Sequence, residues 1–458
     1  MEHLGINVNV KNVPELDAGY IPLHKFNAAF LEGAEKPLGI AVERAGGEVA
    51  VMRTFIHGTP EFEAADSYYA DRMVKSMLWL YGGWKVYISG DRDIYERIRA
   101  AYAPDGSRAF DEDFMSGVYE RPFEVVFCDE LPAEKSNPQA IGRHLGGCRI
   151  GFDAGGSDRK VSAVIDGESV FSEEVVWFPK TTADPDYHFQ GIVDAFKSAA
   201  AHMPRVDAIG VSSAGIYIEN RAMVASLFLK VPKDEFNRKV KDIYIRAAKE
   251  IGDVPLVVAN DGDVTALAGA MSLEDTGVLG IAMGTSEAGG YVDTAGNITG
   301  WINELAFVPV DFNKEAMVDE WSGDYGCGVK YFSQDSVIKL APAAGIELDP
   351  EASPAEKLKA VQALMAEGHE GARRIYETIG VYFGYAVAYY AMFYDIKHVL
   401  LLGRVSSGEG GNIILDFANK TLKAEFPELA EKISVSLPDE KSRRVGQSVA
   451  AASLPNIN

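Results

Sequence analysis

The sequence predicts an α/β protein with two similar lobes around a cleft and an extra N-terminal α+β domain. Three observations carry this reading. From Cys148, short apolar runs joined by glycine turns lead into alternating amphipathic helices and strands. The same order restarts at Thr276. Residues 1 to about 145 follow neither copy.

Composition bounds the function classes. The chain has 458 residues, 47% hydrophobic and 24% charged, as expected of a globular protein with about three folding units. Its formal net charge of -23 opposes phosphate backbones and anionic lipids, so neither nucleic acid nor a membrane surface is an expected partner. A nucleotide stays open, because local backbone dipoles and Mg2+ govern that binding. Cys128, Cys148 and Cys327 are far apart, which argues against a disulfide framework and a cysteine-built zinc site. Their scarcity fits a reducing, cytoplasmic setting. MEHLGINVNVKN has no basic stretch followed by an apolar run, so no signal peptide is expected. Thr378–Tyr394 is uncharged but carries five tyrosines and two glycines, and reads as a buried helix rather than a membrane span.

In the first copy, residues 146–272, CRIGFDAGG, KVSAVIDGE and SVFSEEVVWFP read as strands. A helix over Phe189–Met203 follows, with its apolar residues on one stripe. VDAIGVSSAG is then a strand ending in small residues, KDEFNRKVKDIYIRAAKEIG an amphipathic helix, PLVVAND a strand and VTALAGAMSL a helix. In the second copy, residues 273–436, TGVLGIAMGTSEAG, GYVDTAGNITGW and INELAFVPVDF read as strands. Helices over Pro354–Glu367 and Gly371–Tyr394 precede the strand KHVLLLGRV. In such sheets, ligands bind at the carboxyl ends of strands.

The N-terminal region alternates strand-like runs (LGIAVE, EVAVMRTFI, WKVYIS, FEVVFC) with helices over Ala65–Tyr81 and Asp93–Tyr102. LPAEKSNPQ reads as a linker. Residues 1–147 carry 23 Asp and Glu against 15 Lys and Arg, with no helix-turn-helix pattern, so a DNA-binding role is not expected. The aromatic SYYADRMVKSMLWLYGGW suits an interface but more commonly serves a core.

Four strand ends carry candidate chemistry. In GFDAGGSDRK, Asp153 ends a strand, Gly155 and Gly156 let the backbone approach an anion, and Ser157 and Lys160 add a donor and a charge. Asp153 is a candidate Mg2+ ligand through water. In AMGTSEAGG the corresponding donors are Gly284, Thr285 and Ser286, and LLLGRVSSGEGG offers Gly403 and Ser406 beside a flat ring. Each loop is, on its own, equally an ordinary glycine turn or surface loop. In VVANDGDVTALAG, Asp263 as a helix cap accounts for one polar residue and leaves Asn260 and Asp261 unexplained.

In order, DAGGS, NDGDVTALAG, GTSEAGG and LLLGRVSSG resemble the phosphate, catalytic, second phosphate and adenosine motifs of the actin-like ATPase and sugar kinase superfamily. The resemblance is greatest to the ROK family (repressors, open reading frames and sugar kinases) and covers about Arg149 to the C-terminus. It implies two ribonuclease-H-like lobes, with residues 437–458 forming a helix that returns to the first. It further implies ATP and Mg2+ as cofactors and a sugar or polyol as substrate. Asp261 would be the general base and Asn260, Glu304, Ser213 and Gly215 substrate contacts. Asp153, Gly155, Gly156, Ser157, Gly284, Thr285, Ser286, Gly403 and Ser406 would hold the nucleotide.

The sequence departs from the family at Phe307, in place of a histidine, and at Val329, in place of a glutamate. Of the family's zinc-binding cysteines only Cys327 remains, so no zinc site is expected. Glu287 and Arg404 stand where small residues are usual. The leading expectation is a hexokinase-like sugar kinase, with kinases of acids or amino sugars beside it. The rival is a non-catalytic sugar- or nucleotide-sensing protein that keeps the cleft. A homodimer is the default assembly.

Overall fold

The computed structural model describes residues 2–136, 141–438 and 446–457. Its N-terminal part contains α1 (Leu23–Leu31), β1 (Lys36–Glu43), β2 (Val49–Ile56), α2 (Glu63–Tyr81), β3 (Lys85–Ser89), α3 (Arg92–Ala101), α4 (Ala109–Tyr119) and β4 (Glu124–Phe127). These strands form a sheet in the order β2-β1-β3-β4, with β1 antiparallel to both neighbours and β3 parallel to β4. Helices α1 and α4 were not among the elements expected from the sequence. The expected linker is pinned at Lys135, which exchanges two backbone hydrogen bonds with Val49. Its residues 137–139 lie outside the described residues.

The middle of the chain forms β5 (Cys148–Ala154), β6 (Asp158–Ile165), β7 (Glu168–Val176), α5 (Pro185–Ala200), β8 (Ala208–Ser213), α6 (Ile243–Lys249), β9 (Leu256–Asn260) and α7 (Asp261–Leu273). The sheet order is β9-β8-β5-β6-β7. β9, β8 and β5 run parallel, and the β6–β7 hairpin continues antiparallel from β5. Helix α5 starts before Phe189 because Asp184 caps it and Pro185 fits its first position. The single helix expected over Lys233–Gly252 is interrupted. Lys241 N–H bonds the Phe236 carbonyl at 3.0 Å across a wide turn, and regular helix resumes at Ile243.

The rest of the chain includes β10 (Val278–Met283), β11 (Glu287–Val292), α8 (Pro354–Ala366), α9 (Glu370–Tyr390), β12 (His398–Leu402), α10 (Glu409–Glu425), β13 (Ser434–Ser436) and α11 (Gln447–Ala452). Their sheet runs β11-β10-β12-β13. Ser353 and Glu356 form a reciprocal capping box at the start of α8. The uncharged stretch is buried along α9, where Gly380 and Gly384 allow close approach of α10; a Cβ at either would lie 2.6 Å from a side-chain atom of that helix. No helix among the described residues is long and apolar enough to cross a membrane.

One expected strand is absent. INELAFVPVDF forms a single short turn, Leu305–Phe307, and isolated bridges. The N–H groups of Asn303 and Glu304 are taken by the carbonyls of Leu80 and Trp79 at the end of α2, at 3.0 and 2.9 Å. A helix end satisfies this backbone where a strand neighbour was expected.

The chain divides into two compact units. One comprises residues 1–137, 281–289 and 301–437, and the other 138–280, 290–300 and 438–458. Within the first unit, α2 carries a buried ion cluster. Arg72, Lys75 and Arg108 place nitrogens 2.5, 2.8 and 2.7 Å from one oxygen of Asp324. Arg108 also forks onto Asp71, and Lys75 lies 3.8 Å from Asp111, so three cations face three carboxylates. Burial alone would raise the Asp324 pKa, but the three cations outweigh it and hold the carboxyl well below the usual range. Because the folded-state pKa is depressed, this contribution is present above the unfolded value, ~4, and declines as pH falls below it. Asp324→Asn should cost about 3–5 kcal/mol near pH 7, measured by urea unfolding, because it leaves buried cations uncompensated.

Candidate functional site

In the second unit, strand register assembles the acidic site. Asp153 lies abreast of Ser212, and Ala154, Ser213 and Asn260 lie abreast one position on. Side chains alternate along a strand, so Asp153 and Ser212 share a face, and Ser212 Oγ donates to Asp153 Oδ1 at 3.0 Å.

Asn260 ends β9 and caps α7. Its Oδ1 accepts from Gly262 N–H, and its Nδ2 donates to the Gly215 carbonyl, both at 2.7 Å. The cap is therefore Asn260, not Asp263. Asp263 is buried and accepts from Tyr291 N–H at 3.0 Å. Asp261, the first residue of α7, accepts from Gly262 N–H at 3.0 Å.

Burial, with Asp261 adding a like charge, raises the Asp153 pKa to about 6, although the Ser212 hydrogen bond opposes this. Burial raises the Asp261 pKa too, against backbone hydrogen bonding and the charge of Lys180. The site thus joins two carboxylates that each favour their neutral form more than a solvated carboxylate would.

Helix α11 closes this site from the C-terminal segment. Gln447 Nε2 donates to Ser212 Oγ and to the Asp261 carbonyl, both at 3.0 Å. The helix lies directly on the sheet because Gly151 and Gly210 face it; a Cβ at either would stand 1.7 Å from the carbonyl oxygen of Ser448 or Ala451. Residues 439–445 and 458 of the expected returning segment lie outside the described residues.

The first glycine loop is braced by the end of the β6–β7 hairpin. Trp177 donates its indole N–H to the Gly155 carbonyl at 2.7 Å and its backbone N–H to the Ser157 carbonyl at 3.1 Å. Ser157 Oγ bonds Asp158 at 3.0 Å. Lys160 is engaged by Glu174 at 3.4 Å. Ser213 is not joined to the acids: its Oγ accepts from Tyr217 and Tyr244 at 2.7 and 2.8 Å, on the opposite face from Ser212.

In the first unit, the other two loops meet. Val405 N–H bonds the Met283 carbonyl at 3.0 Å, and Arg404 Nη2 donates to Thr285 Oγ1 at 2.7 Å. Gly403 has a φ of 96°, and a Cβ there would lie 2.3 Å from the Met283 carbonyl oxygen, so this crossing requires glycine. Ser406 Oγ donates to the Gly403 carbonyl at 3.0 Å, and Gly284 N–H to the Ser286 carbonyl at 2.9 Å.

Glu304 is half-buried at the start of the Leu305–Phe307 turn. The Phe307 ring packs 4.2 Å from Trp79 and 5.5 Å from Phe110, so it belongs to an aromatic core supplied by the N-terminal segment. The Val329 carbonyl accepts from Ser333 Oγ at 2.6 Å. Glu287 is buried, with Tyr390 OH 3.1 Å from Oε1 and no hydrogen-bond partner at Oε2. Burial pushes its pKa up to about 8, so it is largely neutral at pH 7.

Ser212, Gln447, Trp177 and Lys180 were missed in the sequence. Period-two alternation from Asp153's partner strand offered a signal for Ser212 alone.

No family model matches the chain, and no curated protein matches it by sequence. Solved structures do. A ROK hexokinase from Thermus thermophilus is 17% identical with a TM-score of 0.51, covering 67% of this chain and 97% of its own. A ROK-family transcriptional regulator, described as a homologue of the E. coli MLC protein, is 17% identical with a TM-score of 0.50, covering 68% and 79%. A ROK glucokinase from Streptomyces griseus, solved with glucose and AMPPNP, is 20% identical with a TM-score of 0.47, covering 66% and 98%. The chain has the α/β fold shared by ROK hexokinases and regulators.

Glu287 gives this site a measurable signature. Its folded pKa is raised, so its contribution to stability is greatest below the unfolded value, ~4.3, and is lost as pH rises toward 8. Chemical unfolding should show stability falling between about pH 5 and 8, and Glu287→Gln should flatten that decline.

Proposed function

We propose that the protein is an ATP- and Mg2+-dependent kinase of a sugar or related polyol hydroxyl, with Asp261 as general base. The observation that carries this reading is the placement of Asp261: a half-buried carboxylate at the first position of α7, beside the Asn260 cap and within electrostatic reach of Asp153. Burial makes Asp261 a stronger base than a solvated aspartate, which suits removal of a proton from an attacking hydroxyl. Asn260 uses Oδ1 and one Nδ2 hydrogen to hold its own position, leaving a second hydrogen for a substrate oxygen. The Gly155–Ser157 backbone is held in place by Trp177.

Among the described residues, no cluster of three or more His, Cys, Asp or Glu is arranged to hold a metal. Two neighbouring carboxylates with raised pKa values fit a cation that keeps most of its waters, and Asp153 would hold Mg2+ through water. When bound, Mg2+ neutralises charge on the phosphoryl group.

In this reading residues 146–272 and 273–436 are the two kinase lobes, 437–458 the returning segment and 1–145 an addition to them. The second reading is a non-catalytic sensor. It is favoured by Arg404, whose hydrogen bond occupies Thr285, and by the regulator that shares the fold.

ADP release across hexoses, amino sugars and polyols with Mg-ATP separates the two. Sugar-dependent turnover in wild type should fall about 10²–10⁴-fold in Asp261→Asn while sugar binding persists by calorimetry. Binding without turnover on any sugar supports the sensor. If turnover occurs, the acidic limb of kcat/KM should lie above the ordinary carboxylate range, because protonation of Asp261 removes the base.

A further inference from the structure

The segment after β7, Trp177 to Thr182, is more than a brace. Phe178 N–H donates to Tyr187 OH at 3.1 Å, and Thr182 Oγ1 donates to the Phe178 carbonyl at 2.7 Å. His188 Nε2 lies 3.0 Å from the Thr182 carbonyl. Together with the two Trp177 bonds to the glycine loop, these fix the backbone on both sides of Lys180.

Lys180 itself lies over the glycine loop: a Cβ on Gly156 would stand 2.9 Å from its Cε and 3.2 Å from its Nζ, which places the ammonium against the loop backbone. Lys180 is exposed and forms no ion pair among the described residues. The other charges around this loop are Asp153, Asp158 and Asp261, with Arg159 lying 5.8 Å from the Trp177 ring and Lys160 already held by Glu174. An anion lying on the loop would meet three carboxylates, and Lys180 is the exposed cation set against the loop backbone to offset them.

We propose that Lys180 is a direct ligand of the phosphoryl group transferred in this site, a role that rests on the kinase reading above. The substrate oxygen forms a bond to the γ-phosphorus, its proton passes to the Asp261 carboxylate, and the bond from that phosphorus to the β–γ bridging oxygen breaks, releasing ADP. Lys180 stays protonated throughout. It offsets charge on the transferring oxygens and separates them from the two aspartates. Its reach to Asp261 follows from the same position, since its charge is felt by that carboxyl.

The test uses the full chain with Lys180→Met, Lys180→Arg and, as a control on the exposed face of α5, Lys197→Met. With Mg-ATP and an accepted sugar, Lys180→Met should lower kcat about 10²–10³-fold with sugar KM unchanged, and Lys180→Arg should restore part of the loss. Affinity for magnesium pyrophosphate, measured by calorimetry, should fall about 10–100-fold in Lys180→Met. Lys197→Met should match wild type in both. Wild-type kcat in Lys180→Met overturns the proposal. So does a raised KM for acidic sugars with kcat kept, which would assign Lys180 to the acceptor. Absence of wild-type turnover on any sugar defeats the kinase reading alone. In that case loss of pyrophosphate affinity in Lys180→Met still upholds the phosphate contact, and unchanged or absent affinity overturns it.

Discussion

Burying a carboxylate is expensive in a low-dielectric interior, and this acidic chain meets that cost in three ways. Asp324 is met by three cations and stays charged. Glu287 has a phenol on one oxygen and nothing on the other, and favours the neutral form. Asp153 and Asp261 fall between: hydrogen bonds hold them in place, but no cation forms an ion pair with either among the described residues. Full compensation marks a structural element, and neutralisation marks a core that tolerates a polar atom. Partial compensation leaves a site ready to take a proton or a cation.

Helix α2 connects several departures from the expected pattern. Its Arg72 and Lys75 fix the turn at Asp324, and Trp79 packs on Phe307. Its last carbonyls take the N–H groups of Asn303 and Glu304, and Ser76 pairs with Tyr389 at 2.6 Å. The segment around Phe307 and Asp324 is held by salt bridges and aromatic packing. A metal site and an ion cluster can both cross-link loops that have little core of their own.

Much of this was legible in the sequence because it is local. The strands β5 to β9, the Asn260-Asp261 strand end and the glycines at 155, 156 and 403 announce themselves through periodicity and turn chemistry. INELAFVPVDF misled because an apolar run signals burial without saying whether a strand or a helix end satisfies its backbone. The wide turn at Phe236–Lys241 left the amphipathic pattern intact and so escaped detection. Lys180 and Gln447 could not be read at all. Each acts through contacts with residues far away in sequence, and a lysine after a proline or a glutamine before a serine carries no local signal.

The contact between Gln447 and Asp261 spans 186 positions. At ribosomal speeds that separation corresponds to roughly 10–40 s of synthesis. During that interval β5, β8 and β9 can pair, but Gly151 and Gly210 present a bare strip of sheet where α11 will later lie. The nascent sheet therefore passes through a stage with an uncovered face of glycine and serine beside its acidic strand ends. That stage is when the growing chain is most open to chaperones and to mispairing with its neighbours.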